Sequence, residues 1–396
     1  MPTQQTPLRI LVLSAYDAAS HCQWHKTLAA LMPEHKWTVL ALPARYFSWR
    51  IRGNALSYAF TQRATLEASY DLILATSMVD LSTLRGFVPA IADTPTVVYF
   101  HENQFAYPQS EQQRRNAEVQ LVPLYSALCA DRIVFNSAFN RNSFLAGADA
   151  LLKQLPDHVP KGLMPLLEAA EVIPVPLLKV APQQKCSEAP ILEILWNHRW
   201  EYDKGPGLLL ELCKQIATER LPCRMHIAGQ QFRQEPPEFD QIRALLKQHC
   251  ETLGIDYGAH GFVESAEAYE TLMAFCDVVL STAIHDFQGL AIQEATLRGC
   301  APLAPADLAY PEYLPADNLY TRAVSECETA QNILRQLKQW QGFKSRGVAL
   351  PQLTFDTLTS GAVIDRYRDA FAAAIAAHHS KSPDYSARSS NGKTTF

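Results

Sequence analysis

The stretch that decides the fold is Ile191-Leu192-Glu193-Ile194-Leu195-Trp196-Asn197-His198-Arg199-Trp200-Glu201-Tyr202-Asp203-Lys204-Gly205. Ile191–Trp196 is a short, largely apolar run of strand length, His198–Gly205 is charged, and a helical pattern follows over Gly207–Thr218. A buried strand, a polar loop and a helix form the repeating unit of a parallel sheet covered on both faces. The charged loop falls at the carboxyl end of its strand, where such sheets bind ligands.

The pattern continues downstream. Strands are expected at Arg224–Ala228, Ala259–Val263, Asp277–Ser281 and Ala301–Ala304, with helices over Phe239–Thr252, Ala266–Phe275 and Leu290–Arg298 between them. Upstream lies a separate series of strands: Leu8–Ser14, Trp37–Leu42, Asp71–Thr76, Thr96–Phe100, Arg132–Asn136 and Glu171–Val175. Helical stretches over Cys22–Leu31, Arg114–Ala130 and Ala138–Leu145 separate these strands. The alternation stops at Pro174-Val175-Pro176 and the polar run 183–190, which reads as a domain boundary. The expectation is an α/β chain of two Rossmann-like, doubly wound domains facing a cleft, over residues 1–178 and 191–350. A helical segment over 351–379 and a disordered, Ser-rich tail over 380–396 follow.

With 396 residues, 48% hydrophobic and 19% charged, the chain can build two cores, which excludes a hormone or disulfide mini-protein. A net charge of -5 argues against coating nucleic acid by bulk positive charge. Residues 1–180 hold 15 Lys and Arg against 14 Asp and Glu, a balance of +1, leaving -6 for the remainder, so the first half is the better place for a polyanion. The nine cysteines include no C-x-x-C pair, and the odd number reads as reduced thiols of a cytosolic protein. Neither a signal peptide nor an apolar run long enough to span a membrane is read, so the expectation is a cytoplasmic protein without membrane contact.

Familiar chemical devices are missing. No G-x-G-x-x-G follows the first strand, where Tyr16-Asp17-Ala18-Ala19-Ser20-His21 stands, and there is no P-loop. His101-Glu102 lacks the second histidine of a zincin helix, and no metal ligands are assigned. Arg199 and Lys204 could converge on a diphosphate, one bidentate and one as a point charge. Taken alone, they are equally the cations of a solvated turn paired with Glu201 and Asp203. The segment His285-Asp286-Phe287-Gln288-Gly289-Leu290-Ala291-Ile292-Gln293-Glu294 adds an acidic loop residue, a glycine opening a phosphate-favouring helix N-terminus, and a carboxylate inside that helix. The plain alternatives are a capping Asp286 and a surface Glu294.

Arg199-x4-Lys204 followed by Asp286-x7-Glu294 resembles the donor site of retaining nucleotide-sugar glycosyltransferases of the GT-B fold. Further stretches resemble the tRNA-queuosine α-mannosyltransferase family. They are His21-Cys22-Gln23-Trp24, Leu42–Arg50, Phe100-His101-Glu102-Asn103-Gln104 with Tyr107-Pro108, and Val134-Phe135-Asn136-Ser137 with Phe139-Asn140. Leu155-Pro156-Asp157-His158, Trp196-x-His198-Arg199-Trp200-Glu201 and Tyr310-Pro311-Glu312 belong to the same resemblance, which runs from about residue 8 to 375. Two positions differ from the pattern: Asp286 stands where the group usually has Glu, and Ala18-Ala19 stands where relatives have Gly-Gly.

The resemblance implies transfer of mannose from GDP-mannose to the cyclopentenediol of queuosine at the wobble position of aspartate tRNA, with retention and without a required metal or tightly bound cofactor. It implies catalytic roles for His101, Arg199, Lys204 and Asp286, and donor contacts from Arg199, Lys204, Gly229, Phe287, Gln288, Gly289, Leu290 and Glu294. It also implies a C-terminal helix that returns to the N-terminal domain. Ser20, His21, Glu102, Asn103, Gln104 and Asn136 are expected at the acceptor. Arg45, Trp49, Arg50 and Arg52 interleave cations with rings as an unstacked anticodon loop requires, with Arg114 and Arg115 as further phosphate contacts. In isolation the same stripe reads as core aromatics beside solvated arginines. The rival functions are the same fold acting on a lipid or glycan with another nucleotide sugar, and a decayed, non-catalytic binding protein. The oligomeric state is not read from the sequence.

Overall fold

A computed structural model describes residues 6–107, 117–154, 162–180, 190–232 and 235–381. The chain divides into two compact units, one from Met1–Asn136, Asn140–Pro176 and Ser360–Phe396, the other from Ser137–Phe139 and Leu177–Thr359. The expected tail beyond residue 381 and most of the polar run 183–190 lie outside the described residues. No helix among the described residues is long and apolar enough to cross a membrane.

The N-terminal unit runs β1 (Arg9–Asp17), α1 (Ala19–Leu31), β2 (Lys36–Pro43), α2 (Phe47–Thr61), α3 (Arg63–Leu66), β3 (Leu72–Thr76), α4 (Leu81–Phe87) and β4 (Thr96–Phe100). It continues through α5 (Ala117–Cys129), β5 (Arg132–Phe135), α6 (Ala138–Gln154), α7 (Leu163–Glu168) and β6 (Glu171–Val172). Its sheet is parallel, in the order β2-β1-β3-β4-β5-β6. Alternate residues Leu11, Leu13, Ile73, Ala75, Val98 and Phe100 enter one core with residues of α2, α4 and α5. Their neighbours Ile10, Val12, Leu72, Leu74, Val97 and Tyr99 are equally buried on the other face, which is why these strands read as unbroken apolar runs. The last strand ends at Val172 rather than the expected Val175, since Pro174 carries no N–H for a ladder.

The second unit runs β7 (Leu192–Asn197), α8 (Pro206–Glu219), β8 (Cys223–Ala228), α9 (Glu238–Leu253), β9 (His260–Gly261), α10 (Ala266–Phe275) and β10 (Val278–Leu280). It ends with α11 (Leu290–Leu297), β11 (Ala301–Pro305), β12 (Leu319–Tyr320) and α12 (Glu326–Ser345). The parallel sheet order is β12-β11-β10-β7-β8-β9, so the order of strand addition reverses between β7 and β10. Its core gathers Ile194, Trp196, Leu209, Ile227, Leu280, Leu303 and Leu337.

Six elements had no counterpart in the sequence reading: α2, α3, α4, α7, α12 and β12. In α2 the inward residues Arg50, Ile51, Asn54, Ala55 and Tyr58 follow the 3.6-residue period, but arginine and asparagine among them hide it. The α12 start carries a readable signal, since the Ser325 hydroxyl accepts the Glu328 N–H at 3.2 Å in an S-x-x-E box.

A final helix, α13 (Ser360–Lys381), returns to the N-terminal unit as expected, packing on β4, β5 and α1. Buried aromatic hydroxyls lock it there. Trp24 Nε1 donates to Tyr367 Oη at 3.0 Å, and Tyr367 donates to the Pro174 carbonyl at 3.2 Å. Trp24 stacks on Tyr99 at 4.6 Å, and Tyr99 donates to the Ile173 carbonyl at 2.8 Å. Tyr367→Phe strips the buried Trp24 N–H of its acceptor and should cost about 1–3 kcal/mol by urea unfolding, with the far-ultraviolet spectrum unchanged. A loss below about 0.5 kcal/mol would show that the helix is held by apolar burial alone.

Candidate functional site

Ligands of doubly wound sheets sit outside the carboxyl ends of the strands where the order reverses. In the second unit that point lies between β7 and β10. The loop after β7 carries His198 to Lys204, and the loop after β10 carries Ser281 to Gly289. The two segments singled out by sequence therefore meet at one place.

Lys204 is the centre of this place. It is only 9% exposed. Its ammonium donates to the His285 carbonyl at 2.8 Å and lies 3.2 Å from Asp203 Oδ2 and 3.5 Å from Asp286 Oδ2. The strand-end backbone closes around it. Thr282 Oγ1 donates to the Lys204 carbonyl at 2.7 Å and accepts Trp196 Nε1 at 2.8 Å. Arg199 is half in solvent and is held by Glu201 at 2.6 Å and by Asp203 at 3.9 Å. The turn pairing that the sequence allowed is thus present, and it holds the two cations beside one another.

Asp286 does not extend outward. Its Oδ1 accepts the Gly289 N–H at 2.9 Å and the Gln288 N–H at 3.4 Å, while Tyr310 Oη donates to Oδ2 at 3.3 Å. A carboxylate on so short a stem folds back onto the amides ahead of α11. Burial opposes its ionisation, but the Lys204 ammonium and those two N–H groups outweigh burial and hold the carboxyl at about 2. His198 and His285 are also lowered, to about 4, by burial first and by Lys204 second, and are neutral at pH 7. His198 Nε2 is buried without a hydrogen-bond partner.

Gly289 opens α11 with φ 76°, and a Cβ there would meet Tyr313 Oη at 2.4 Å and the Tyr310 ring at 2.7 Å, so only glycine fits. Because Asp286 takes the Gly289 amide, the N–H groups of Leu290 and the next residues are the orphan donors of this helix N-terminus. Gly229 ends β8 against the His198 carbonyl, which a Cβ would strike at 1.8 Å. Phe287 packs edge-on against His285 at 4.4 Å, and the Gln288 side chain donates to Gln293 at 3.0 Å. Glu294 lies half-buried on α11, its carboxyl pushed up by burial, with Arg298 opposing and Glu270 reinforcing. Tyr310 and His285 belong to this site although composition and spacing gave them no role, and Asp203 was read only as a partner of the turn's cations. Only the Tyr310-Pro311-Glu312 resemblance pointed towards one of them.

In the N-terminal unit, His101 follows β4 and is 8% exposed. Its ring lies 4.2 Å from His21, 4.6 Å from Trp24 and 4.7 Å from Tyr99. Burial, and then His21 and His25, hold its pKa well below the usual range, so the imidazole is neutral, with Nε2 lacking a hydrogen-bond partner. His21 Nδ1 lies 2.7 Å from the Tyr16 carbonyl, which only accepts, so the proton sits on Nδ1. Asn103 and Asn136 form the floor of this region. Asn103 Nδ2 donates towards Asn140 and Ser143, its Oδ1 accepts the amides of Phe105 and Ala106, and Asn136 Nδ2 donates to the His101 carbonyl at 2.9 Å. Glu102 and Gln104 are half-buried, and Ser20 is exposed in the first turn of α1.

The stripe on α2 splits by helical phase. Trp49 is 58% exposed, and Arg45 is exposed with its guanidinium 5.7 Å from the Tyr46 ring centre. Arg52 is exposed and reaches Asp80 at 2.8 Å, whereas Arg50 turns inward and is buried. The reading of core aromatics beside solvated arginines does not hold for Trp49, which is outside, or for Arg50, which is inside. Arg114, Arg115 and residues 155–161 lie outside the described residues.

Residues 9–177 match the family model described as tRNA-queuosine alpha-mannosyltransferase N-terminal, and residues 191–341 match glycosyl transferases group 1. The chain is 31% identical over 373 residues to the tRNA-queuosine alpha-mannosyltransferase of Drosophila melanogaster, covering 91% of this chain and 96% of that protein. Its fold is similar to that of Anabaena HepE in complex with UDP-glucose, with TM-score 0.59, 16% identity, and 92% and 99% of the two chains covered. The N-terminal domain of Candida albicans trehalose-6-phosphate phosphatase gives TM-score 0.61 at 12% identity, covering 94% and 98%. Those two likenesses are of fold. With the two parallel six-stranded sheets they give the expected two-domain, Rossmann-like GT-B fold.

The depressed Asp286 pKa carries a testable sign. A carboxyl lower in the folded than in the unfolded state adds stability above its unfolded value of 3.8, and that stability disappears as pH falls from 4 towards 2. The contribution is about 2 kcal/mol. Asp286→Asn should therefore be less stable at pH 6 and should lose less further stability between pH 4 and 2 than the parent, measured by urea unfolding. Equal losses in the two proteins would show that Asp286 is not linked to folding.

Proposed function

The chain belongs to the tRNA-queuosine alpha-mannosyltransferase family and is a glycosyltransferase, and on that premise we propose that it transfers mannose from GDP-mannose to queuosine in aspartate tRNA. The observation that carries the donor half is the pairing of Arg199 and Lys204 with the α11 N-terminus at the strand ends flanking the switch point. As the sugar–phosphate bond breaks, negative charge grows on the diphosphate, and fixed cations and amides that meet it lower the barrier. Two cations stand here against Asp203, Asp286 and Glu201. Binding therefore requires Arg199 to exchange Glu201 for phosphate oxygens, with the orphan amides of α11 adding the remaining donors. The Glu201 carboxyl is already raised, by burial first, Asp203 adding to it against Arg199, which eases that exchange.

Retention follows from the chemistry named. An α-mannoside made from a nucleotide sugar that is itself α-linked keeps its anomeric configuration. In this reading no metal is required, because Lys204, Arg199 and the helix amides take the part of a counter-ion. Glu294 is assigned to the ribose diol and Asp286 to anchoring Lys204 beside the donor sugar. His101, neutral at Nε2, is assigned to a sugar hydroxyl.

The N-terminal unit is assigned the tRNA, and the proposed enzyme is a cytoplasmic one. Trp49 and Arg52 on the outer side of α2, with Arg45 just before the helix, offer a ring to an unstacked base and cations to phosphate. Buried Arg50 is left out of direct contact.

The test is a mass-resolved assay with queuosine-containing aspartate tRNA and a panel of GDP- and UDP-sugars. One hexose on queuosine with GDP-mannose alone is the expected result. Hydrolysis of a different sugar nucleotide without tRNA labelling would overturn this donor and acceptor. Arg199→Ala should weaken GDP binding about tenfold by calorimetry, the loss of one charge-assisted contact. Replacing Arg45 and Trp49 together by Ala should weaken tRNA binding and reduce its salt slope by about one; an unchanged slope would move the RNA surface elsewhere.

A further inference from the structure

Asp17, Cys22 and His25 each bring one ligand-type atom to within 4.8 Å of the others, and the proposed transfer uses none of them. The spacing alone does not announce a metal site, since Cys22-x-x-His25 is simply one helical turn. The fold supplies the rest. Residues three apart face the same way on α1, towards the end of β1.

Asp17 is aimed by a strand irregularity. Ser14 and Asp17 differ by an odd number and would lie on opposite faces of a regular strand. The register shifts between them, and Ser14 Oγ donates to Asp17 Oδ1 at 2.8 Å, so both point to the same side. That hydroxyl is the kind of outer partner that orients a ligating carboxylate.

His25 gives the independent indication. It is 6% exposed, and its Nε2 has no hydrogen-bond partner. It lies 3.3 Å from Asp17 Oδ1 without meeting hydrogen-bond geometry. About 3.3 Å is also the separation of two ligands on a tetrahedral zinc at bond lengths near 2.0–2.1 Å. A buried nitrogen that faces a carboxylate without a well-formed hydrogen bond is under-satisfied, and ligation would satisfy it.

We propose that Asp17, Cys22 and His25 form a site for a zinc-like divalent cation, with the fourth position open to solvent. One carboxylate oxygen, one thiolate and one imidazole suit zinc or cobalt rather than magnesium or calcium, which take oxygen. The cation ties the end of β1 to the first turns of α1 and so fixes the turn that carries Ala18, Ala19 and Ser20. The site stands independently of the donor and acceptor assigned above.

The test titrates the full chain, stripped by EDTA, desalted and kept reduced, with cobalt(II) and then zinc(II). One equivalent of cobalt should give a sulfur-to-metal band in the near ultraviolet with tetrahedral d–d bands. Zinc should displace it and raise the melting temperature. Cys22→Ser, a near-isosteric change at a half-buried position, should abolish the sulfur band and weaken zinc binding at least tenfold; His25→Ala should weaken it similarly. Absence of the band in the parent would overturn the proposal. A band and affinity unchanged in Cys22→Ser would do the same, assigning the metal to another thiol such as exposed Cys327.

Discussion

A buried ammonium has to be answered by oxygen atoms, and Lys204 is the group around which the second unit closes its loops. Asp203 from its own turn and Asp286 with the His285 carbonyl from the loop after β10 surround it. Because these oxygens come from two loops, the pairing fixes the ends of two neighbouring strands relative to each other. Removing Lys204 would leave two carboxylates facing one another in a poorly hydrated place, an arrangement costing far more than a lost surface pair. The neutrality of His198 and His285 follows from burial first and is reinforced by the same charge, since a second cation beside a buried ammonium is disfavoured.

The constraint also explains Asp286. A glutamate at this position would carry one more methylene between backbone and carboxylate. The aspartate instead closes a tight turn onto the Gln288 and Gly289 amides, still reaching Lys204 and Tyr310. The departure from the family pattern is therefore compatible with an ordered, ionised group, whose partners on all sides hold it in place.

The N-terminal unit solves a different problem with similar means. Its strand ends gather histidines and asparagines rather than ion pairs. Asn103, Asn136 and Asn140 satisfy one another and the backbone beneath His101, and Trp24, Tyr99 and Tyr367 seal the opposite side. Neutral groups so arranged leave the imidazole uncharged and its position fixed, while Arg52 is displayed on α2 and Arg45 just before it.

Much of this was legible in the chain itself. Unbroken apolar runs between helical patterns identified two parallel sheets, because strands covered on both faces cannot alternate with polar residues. Arg199, Lys204, Asp286 and Gly289 were readable as one constellation because they stand immediately after predicted strands, where the fold directs ligands. The helix α2 was hidden because Arg50 and Asn54 occupy inward positions, and the partition of the arginine–aromatic stripe into Trp49 outside and Arg50 inside depends on helical phase. Tertiary structure alone decided which polar groups meet: Tyr310 with Asp286 and Trp24 with Tyr367 across long sequence distances, and Asp17 with His25 across an irregular strand end. Local sequence fixes period and propensity, whereas hydrogen bonds and charges are short-ranged in space and recognise no distance along the chain.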